Sequence, residues 1–210
     1  MLLVFWRSLT LEGEVEKFLS FYSSDFGRKI IDREADIIDE KLRNCDKALS
    51  IGCGIGSIGE MIENFEVVYL DHSFPMVSEA KNRGGEEFLV VGEAEKMPFR
   101  DDVFDCAYSV TGLEFMRDLE MTFREIDRIL DSDGNMLAMM LNSYSDYFKS
   151  HVEDEESYFS KIRYHPKQVA EYMEKYFSTE REYFLGIEEG EIFTTERPEK
   201  ASLYVVSGEK

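Results

Sequence analysis

The sequence predicts an α/β protein: a doubly wound, mostly parallel seven-stranded sheet with an antiparallel C-terminal hairpin and helices on both faces. Three observations carry that expectation. From residue 47 onward, short apolar runs alternate with helical stretches, the pattern of parallel βαβ units. A glycine-rich loop separates the first of these runs from the stretch that follows it. After a last helical stretch at 166–177, two β-like segments end the chain.

Each element follows from its residues. In 11–24, Leu11, Val15, Phe18, Leu19 and Tyr22 recur at helical spacing. In 27–43, Ile30, Ile31, Ala35, Ile37, Ile38 and Leu42 share one side, with Arg28, Asp32, Arg33, Asp36 and Glu40 elsewhere, so both read as amphipathic helices. Strands are expected at 48–51, 66–70, 88–91, 104–110 and 135–141. Helices are expected between them at 57–64, 75–82 and 118–130, the last striped by Leu119, Phe123, Ile126 and Leu130. Asp131-Ser132-Asp133-Gly134 reads as the turn into the fifth strand. Residues 143–165 are irregular and aromatic around an acidic run at 153–156, which reads as a solvated helix face or loop. The final strands fall at 181–187 and 201–207, and the 13 residues between them, with Gly190 and Pro198, read as a long hairpin connection. With 4 prolines and no low-complexity block, nothing separates two domains. One domain over 1–210 is expected, with a helical cap at 1–45 and a ligand-binding core at 46–142. A lid insert and helix at 143–178 and the terminal hairpin at 179–210 complete it.

Composition limits the partners. The 210 residues hold 24 Lys+Arg against 44 Asp+Glu, a net charge of −20. Hydrophobic content of 43% and aromatic content of 13% mark a folding chain rather than an acidic disordered tail. A negative field repels phosphate backbones and anionic membranes, so nucleic acid is not the expected partner. Cys45, Cys53 and Cys106 show no metal-ligand spacing and read as reduced thiols of a cytoplasmic protein. His72, His151 and His165 are scattered, so no metal site is expected. Residues 1–6 are apolar but are cut off by Arg7, and no run reaches the ~18 residues of a membrane span. The expected protein is soluble and cytoplasmic, without membrane insertion, and its expected partners are a small-molecule substrate and a second copy of itself.

The chemistry begins at Ser50-Ile51-Gly52-Cys53-Gly54-Ile55-Gly56, which follows a strand and is expected to open a helix. Glycines suit a tight turn that a ligand must approach along the main chain. The next strand ends at Asp71, 17 residues after Gly54. A carboxylate there can accept from both hydroxyls of a ribose, so a nucleoside-containing ligand is expected. Gly54-x-Gly56-x-x-Gly59 also satisfies the dinucleotide pattern, which keeps a nicotinamide-dependent oxidoreductase open at this point.

The third and fourth units add Val91-Gly92-Glu93-Ala94-Glu95-Lys96-Met97-Pro98-Phe99 and Asp101-Asp102-Val103-Phe104-Asp105-Cys106-Ala107-Tyr108-Ser109, then Glu125-Ile126-Asp127-Arg128-Ile129-Leu130. From about Ala48 to Leu141 this succession resembles the class I S-adenosylmethionine-dependent methyltransferases, nearest to the small-molecule enzymes of ubiquinone and menaquinone biosynthesis. Phe26-Gly27-Arg28 is weakly similar to their helical N-terminal segment. The resemblance implies a Rossmann-like fold and S-adenosylmethionine as cofactor, with S-adenosylhomocysteine as product. It implies that Gly52, Cys53, Gly54 and Gly56 pass close to the methionine part, Asp71 binds the ribose, and His72 and Met76 lie on the adenine. Glu93 and the Ala94 amide would address the adenine edge, and Ser109 would border the sulfonium. Ser50 stands where the family usually carries an acid, and Glu93 where it usually carries Asp.

Methyl transfer is an in-line displacement in which the protein mainly aligns the reacting atoms in a dry site. A general base is needed only where the acceptor must lose a proton. Glu114, Asn142 and Tyr144, just past the fourth and fifth strands, are the candidates. Tyr22 and Tyr147 are expected to cap the pocket, and the aromatic segment 143–165 to wall the acceptor, seating a flat or cationic group. The other reading on the same fold is a non-catalytic protein that binds the cofactor.

Overall fold

A computed structural model describes residues 11–84, 88–152 and 158–210. Two N-terminal helices, α1 (Leu11–Ser23) and α2 (Asp25–Lys41), meet at a tight corner. The Ser24 hydroxyl caps α2 by accepting from the Gly27 amide at 2.9 Å. Gly27 is required there, because a Cβ would collide with the Phe21 carbonyl of α1.

The sheet runs through β1 (Lys47–Ile51), β2 (Glu66–Asp71), β3 (Leu89–Val91), β4 (Phe104–Val110), β5 (Leu130–Leu141), β6 (Ser178–Glu188), β7 (Glu191–Phe193) and β8 (Ala201–Glu209). Its order is β3-β2-β1-β4-β5-β8-β6-β7. The first five strands pair in parallel, and β8, β6 and β7 add antiparallel ladders. The expected doubly wound sheet with an antiparallel tail is therefore present. The crossovers leave β1 in both directions, which makes the β1–β4 boundary the switch point where such sheets bind ligands.

Helices cover both faces. On one, α2 buries Ile30, Ile37 and Ile38 against Ala48, Cys106, Leu137 and Val205. On the other, α4 (Leu119–Ile129) and α6 (Pro166–Met173) bury Phe123, Ile126, Val169 and Met173 against Leu49, Ala107 and Met136. Helix α3 (Phe74–Asn82) flanks β2 and β3, and α5 (Asp146–Val152) follows β5.

Four segments depart from expectation. The helix expected at 57–64 is only a 3-10 turn over Gly59–Met61. Gly59, inside that stretch, costs an α-helix about 1 kcal/mol relative to alanine. Few residues remain before β2, and a 3-10 turn covers more distance per residue than an α-helix. The turn expected at 131–134 lies inside β5 as an irregularity, since Phe104 pairs with Leu130 but Cys106 with Asn135. Gly134 allows it, because a Cβ would sit 2.8 Å from that of Leu130. The long hairpin connection contains β7, whose Phe193 ring lies over Gly186 of β6. Part of 143–165 is ordered as α5 and a 3-10 turn over Tyr158–Lys161, while the acidic run 153–156 lies outside the described residues. Among the described residues no helix is long and apolar enough to cross a membrane.

Candidate functional site

The C-terminal ends of β1, β2 and β4, with the loop after β3, line one cavity of about 440 Å³. Its floor is the glycine loop, where Gly52, Gly54 and Gly56 take φ of +73°, +56° and +73°. L-residues avoid that region, so the turn selects glycine. A Cβ on Gly54 would meet nothing within 4 Å, and one on Gly52 would lie 3.7 Å from the Gly112 Cα. The loop thus leaves open space on its ligand side and abuts the tip of β4 on the other.

The loop is stitched to β2. The Gly52 and Cys53 amides donate to the Leu70 carbonyl at 2.8 and 3.1 Å. The Gly54 amide donates to Asp71 Oδ2 at 2.9 Å, and the Ser73 amide to Asp71 Oδ1 at 2.8 Å. Asp71 is 8% exposed and lines the cavity. Each carboxylate oxygen has a second lone pair, so both can still accept from a ligand. His72 lies beside it on the rim, and Met76 and Ala94 are buried in the wall. The Ala94 amide donates to no protein acceptor among the described residues. An unspent donor in a buried wall suits a ring nitrogen. Glu93 meets Arg117 at 3.4 Å, and Glu95 accepts from the Arg117 and Asp118 amides.

A clamp fixes the segment below these residues. Arg128 of α4 donates to the Phe99 and Met97 carbonyls at 2.9 and 3.2 Å, to Asp101 at 2.7 Å, and twice to Glu125. Glu125 in turn accepts from the Met97 amide at 2.7 Å. Arg128 and Glu125 thus hold the 97–101 loop through four hydrogen bonds, three donated by the guanidinium and one accepted by the Glu125 carboxylate. Glu125 and Arg128 belong to a stretch already singled out in the sequence, but nothing local showed what they would touch.

Opposite the glycine loop stands an aromatic collar. Phe115 and Tyr158 rings lie 4.4 Å apart, Phe18 and Tyr158 5.7 Å, and Phe18 and Tyr22 6.0 Å. The Tyr158 hydroxyl donates to the Thr111 carbonyl at 2.9 Å. Thr111 holds φ +49°, a left-handed conformation that costs a β-branched residue on the order of 1–2 kcal/mol. Burial, with the Glu34 carboxylate nearby, pushes the Tyr22 hydroxyl up, so it stays protonated. Phe18, Phe115 and Tyr158 come from three distant segments, and no sequence spacing announces them.

Of the residues expected here, Gly52, Cys53, Gly54, Gly56, Asp71, His72, Met76, Glu93, Ala94 and Tyr22 line the cavity, as does Ser50. Ser109 does not. It is 1% exposed, and its hydroxyl donates to the Ile51 carbonyl, because strand alternation turns Tyr108 and Val110 toward the cavity instead. Tyr147 lines a separate cavity between α5 and the β6–β7 turn. Tyr144 lies outside the cavity, exposed, with the Lys167 ammonium 4.7 Å from its ring centre. Asn142 is buried and structural: its amide donates to the Pro198 and Ala201 carbonyls, and its oxygen accepts from the Tyr144 amide. Glu114 is fully buried and accepts from the Leu141 amide at 3.0 Å. Burial raises its carboxyl to about 7 against that bond, yet it does not line the cavity.

Cys45 and Cys106 meet in the core, where their hydrogen bond and burial push the Cys106 thiol up. Cys53 is apart from them in the glycine loop, so the three thiols do not converge. Among the described residues no cluster of three or more His, Cys, Asp or Glu could hold a metal ion.

Comparison with known proteins agrees with this geometry. Residues 49–138 match the methyltransferase domain family. An uncharacterised protein of Methanocaldococcus jannaschii is 35% identical over 116 residues, 55% of this chain and 44% of that one. A sterol 4-C-methyltransferase of Caenorhabditis elegans is 31% identical over 131 residues, 55% of this chain and 38% of that one. The chain thus spans less than half the length of these two relatives. The fold is shared with an S-adenosylmethionine-dependent methyltransferase of Thermotoga maritima, described as a possible histamine N-methyltransferase. Its TM-score is 0.78 at 20% identity, covering 93% of this chain and 95% of that one. Residues 49–138 thus resemble the methyltransferase domain family, and the fold is that of S-adenosylmethionine-dependent methyltransferases.

Proposed function

We propose that this protein transfers a methyl group from S-adenosylmethionine to a small-molecule acceptor held in the aromatic collar. One observation carries the reading: a single cavity joins the glycine loop, Asp71 and the free Ala94 amide to the collar of Phe18, Tyr22, Phe115 and Tyr158. Its volume of about 440 Å³ is within the range of small-molecule sites. Relatives named as methyltransferases support the same reading.

Each residue has a task. Gly52, Cys53, Gly54 and Gly56 let the main chain run along the methionine part, and Asp71 accepts from the ribose hydroxyls. His72 and Met76 lie against the adenine, while Glu93 accepts from its exocyclic amine and the Ala94 amide donates to a ring nitrogen. Ser109 acts from behind by holding the end of β1 to β4. When bound, S-adenosylmethionine supplies a sulfonium methyl: the acceptor–carbon bond forms as the carbon–sulfur bond breaks, and its electron pair stays on sulfur. The collar excludes water and fixes the acceptor in line with that methyl. Glu114, Asn142 and Tyr144 do not reach the cavity and take no proton from the acceptor.

A nicotinamide-dependent oxidoreductase is not favoured. The dinucleotide pattern requires a helix whose N-terminus receives a pyrophosphate, and here only a three-residue 3-10 turn follows the loop. The buried, reduced Cys45 and Cys106 support a cytoplasmic location. Incubation with methyl-labelled S-adenosylmethionine and panels of small carboxylates, phenols, amines and thiols tests the activity. S-adenosylhomocysteine should form in step with label in one acceptor class. Cofactor binding with no label in any class would make this a binding protein instead.

A further inference from the structure

The geometry points to an anionic acceptor, a carboxylate or phosphate monoester on an apolar body, received by Arg163 at the collar. This rests on the reading that the other half of the cavity holds the cofactor. In a chain of net charge −20, the charges lining this cavity are sorted by end. Its acids, Asp71, Glu93 and Glu95, stand on the cofactor side, and each already faces protein donors. Arg117 is matched by Glu93. Among the described residues, the charged ones lining the collar are Lys161 and Arg163, both cationic.

Arg163 is fixed next to the collar. Its amide and that of Tyr164 donate to the Glu114 carbonyl at 2.9 and 3.1 Å, one residue from the Phe115 ring that meets Tyr158. No side-chain hydrogen bond or ion pair engages its guanidinium among the described residues. A planar fork of donors in that setting is suited to a carboxylate or phosphate rather than to an ammonium. Among the described residues, an ammonium at the collar would meet ring faces and the unengaged Arg163 guanidinium, a like charge that repels it. Of the flat or cationic acceptors the tyrosines suggest, the proposal keeps the flat body and replaces the cation with an anion. It also fits the position of Glu114 outside the cavity, since an acceptor that is already an anion at neutral pH has no proton to lose.

Two probes of one shape decide the sign. 2-Naphthoate and 2-naphthylmethylamine are titrated into the protein by fluorescence, with and without saturating S-adenosylhomocysteine, and 2-naphthyl phosphate distinguishes the two kinds of anion. The anions should bind at least about tenfold more tightly than the amine, the effect of one charge-assisted pair. Arg163→Glu should remove that preference, and Arg163→Lys should keep part of it. The guanidinium is exposed, so both variants should fold, which their S-adenosylhomocysteine isotherms verify. Amine binding equal to or tighter than naphthoate, binding of neither probe, or unchanged naphthoate binding by Arg163→Glu would overturn the proposal. Arg163-dependent naphthoate binding by a protein that ignores S-adenosylhomocysteine would keep the anion site and remove the methyl-transfer reading. Cofactor binding with amine preference would do the reverse.

Discussion

Replacing Asp71 should produce two separable losses, because its carboxylate faces both the glycine loop and the cavity. In Asp71→Ala the Gly54 and Ser73 amides lose acceptors now at 2.9 and 2.8 Å. An orphaned donor costs about 1–3 kcal/mol, and water can reach these half-buried amides, so a total near 2–4 kcal/mol is expected. Asp71→Asn keeps the shape and one carbonyl acceptor but turns an amide donor toward one N–H, for about 1–2 kcal/mol. The ligand effect ranks differently. Either variant forfeits hydroxyl bonds to a charged acceptor, so affinity for S-adenosylhomocysteine should fall about 10- to 100-fold even in Asp71→Asn. Urea unfolding followed by circular dichroism gives the first quantity and calorimetry the second. An unchanged unfolding midpoint in Asp71→Ala would refute the brace. Affinity within twofold of wild type in Asp71→Asn would refute the ribose assignment.

Three further outcomes follow from the same geometry. Gly54→Val forces a β-branched residue to φ +56° and fills the open side of the loop; calorimetry should show no S-adenosylhomocysteine binding, with a stability loss of about 1–2 kcal/mol. Arg128→Met removes the clamp on 97–101; hydrogen exchange of amides in 92–101 should speed up at least tenfold, while β1 amides stay protected. Glu34 is buried on α2, and burial raises its carboxyl from 4.5 to about 8. The folded state therefore holds a proton that the unfolded chain releases, and this contribution is full below pH 4.5 and lost as pH rises through 8. Relative to Glu34→Gln, the wild-type unfolding free energy should fall between pH 5 and 8 by up to about 1.4 kcal/mol per pH unit. A flat difference would contradict the buried carboxyl.

The glycine loop and Asp71 were legible because they are set by backbone geometry, which one short stretch encodes. Helix α2 and the buried strands were legible from periodicity. At Gly59–Met61 the apolar spacing favours a helix, but Gly59 and the short run to β2 leave a 3-10 turn. Ser109 could have been excluded by strand alternation once Tyr108 and Val110 were given the other face. The aromatic segment 143–165 is shared between two cavities. Tyr147 on α5 lines a different cavity, while Tyr158, Lys161 and Arg163 line this one. Phe18 and Phe115 join the collar only through tertiary packing, as the Arg128 contacts do. Among the described residues the acidic excess lies more on the surface than in the site, and the charged residues lining the collar are cationic.

We propose that this cavity holds the adenosyl cofactor. Calorimetric titration of the wild-type protein with S-adenosylhomocysteine, and separately with NAD, tests it most directly. A one-to-one isotherm with S-adenosylhomocysteine and none with NAD is the predicted result. Tight NAD binding with no heat from S-adenosylhomocysteine would contradict it.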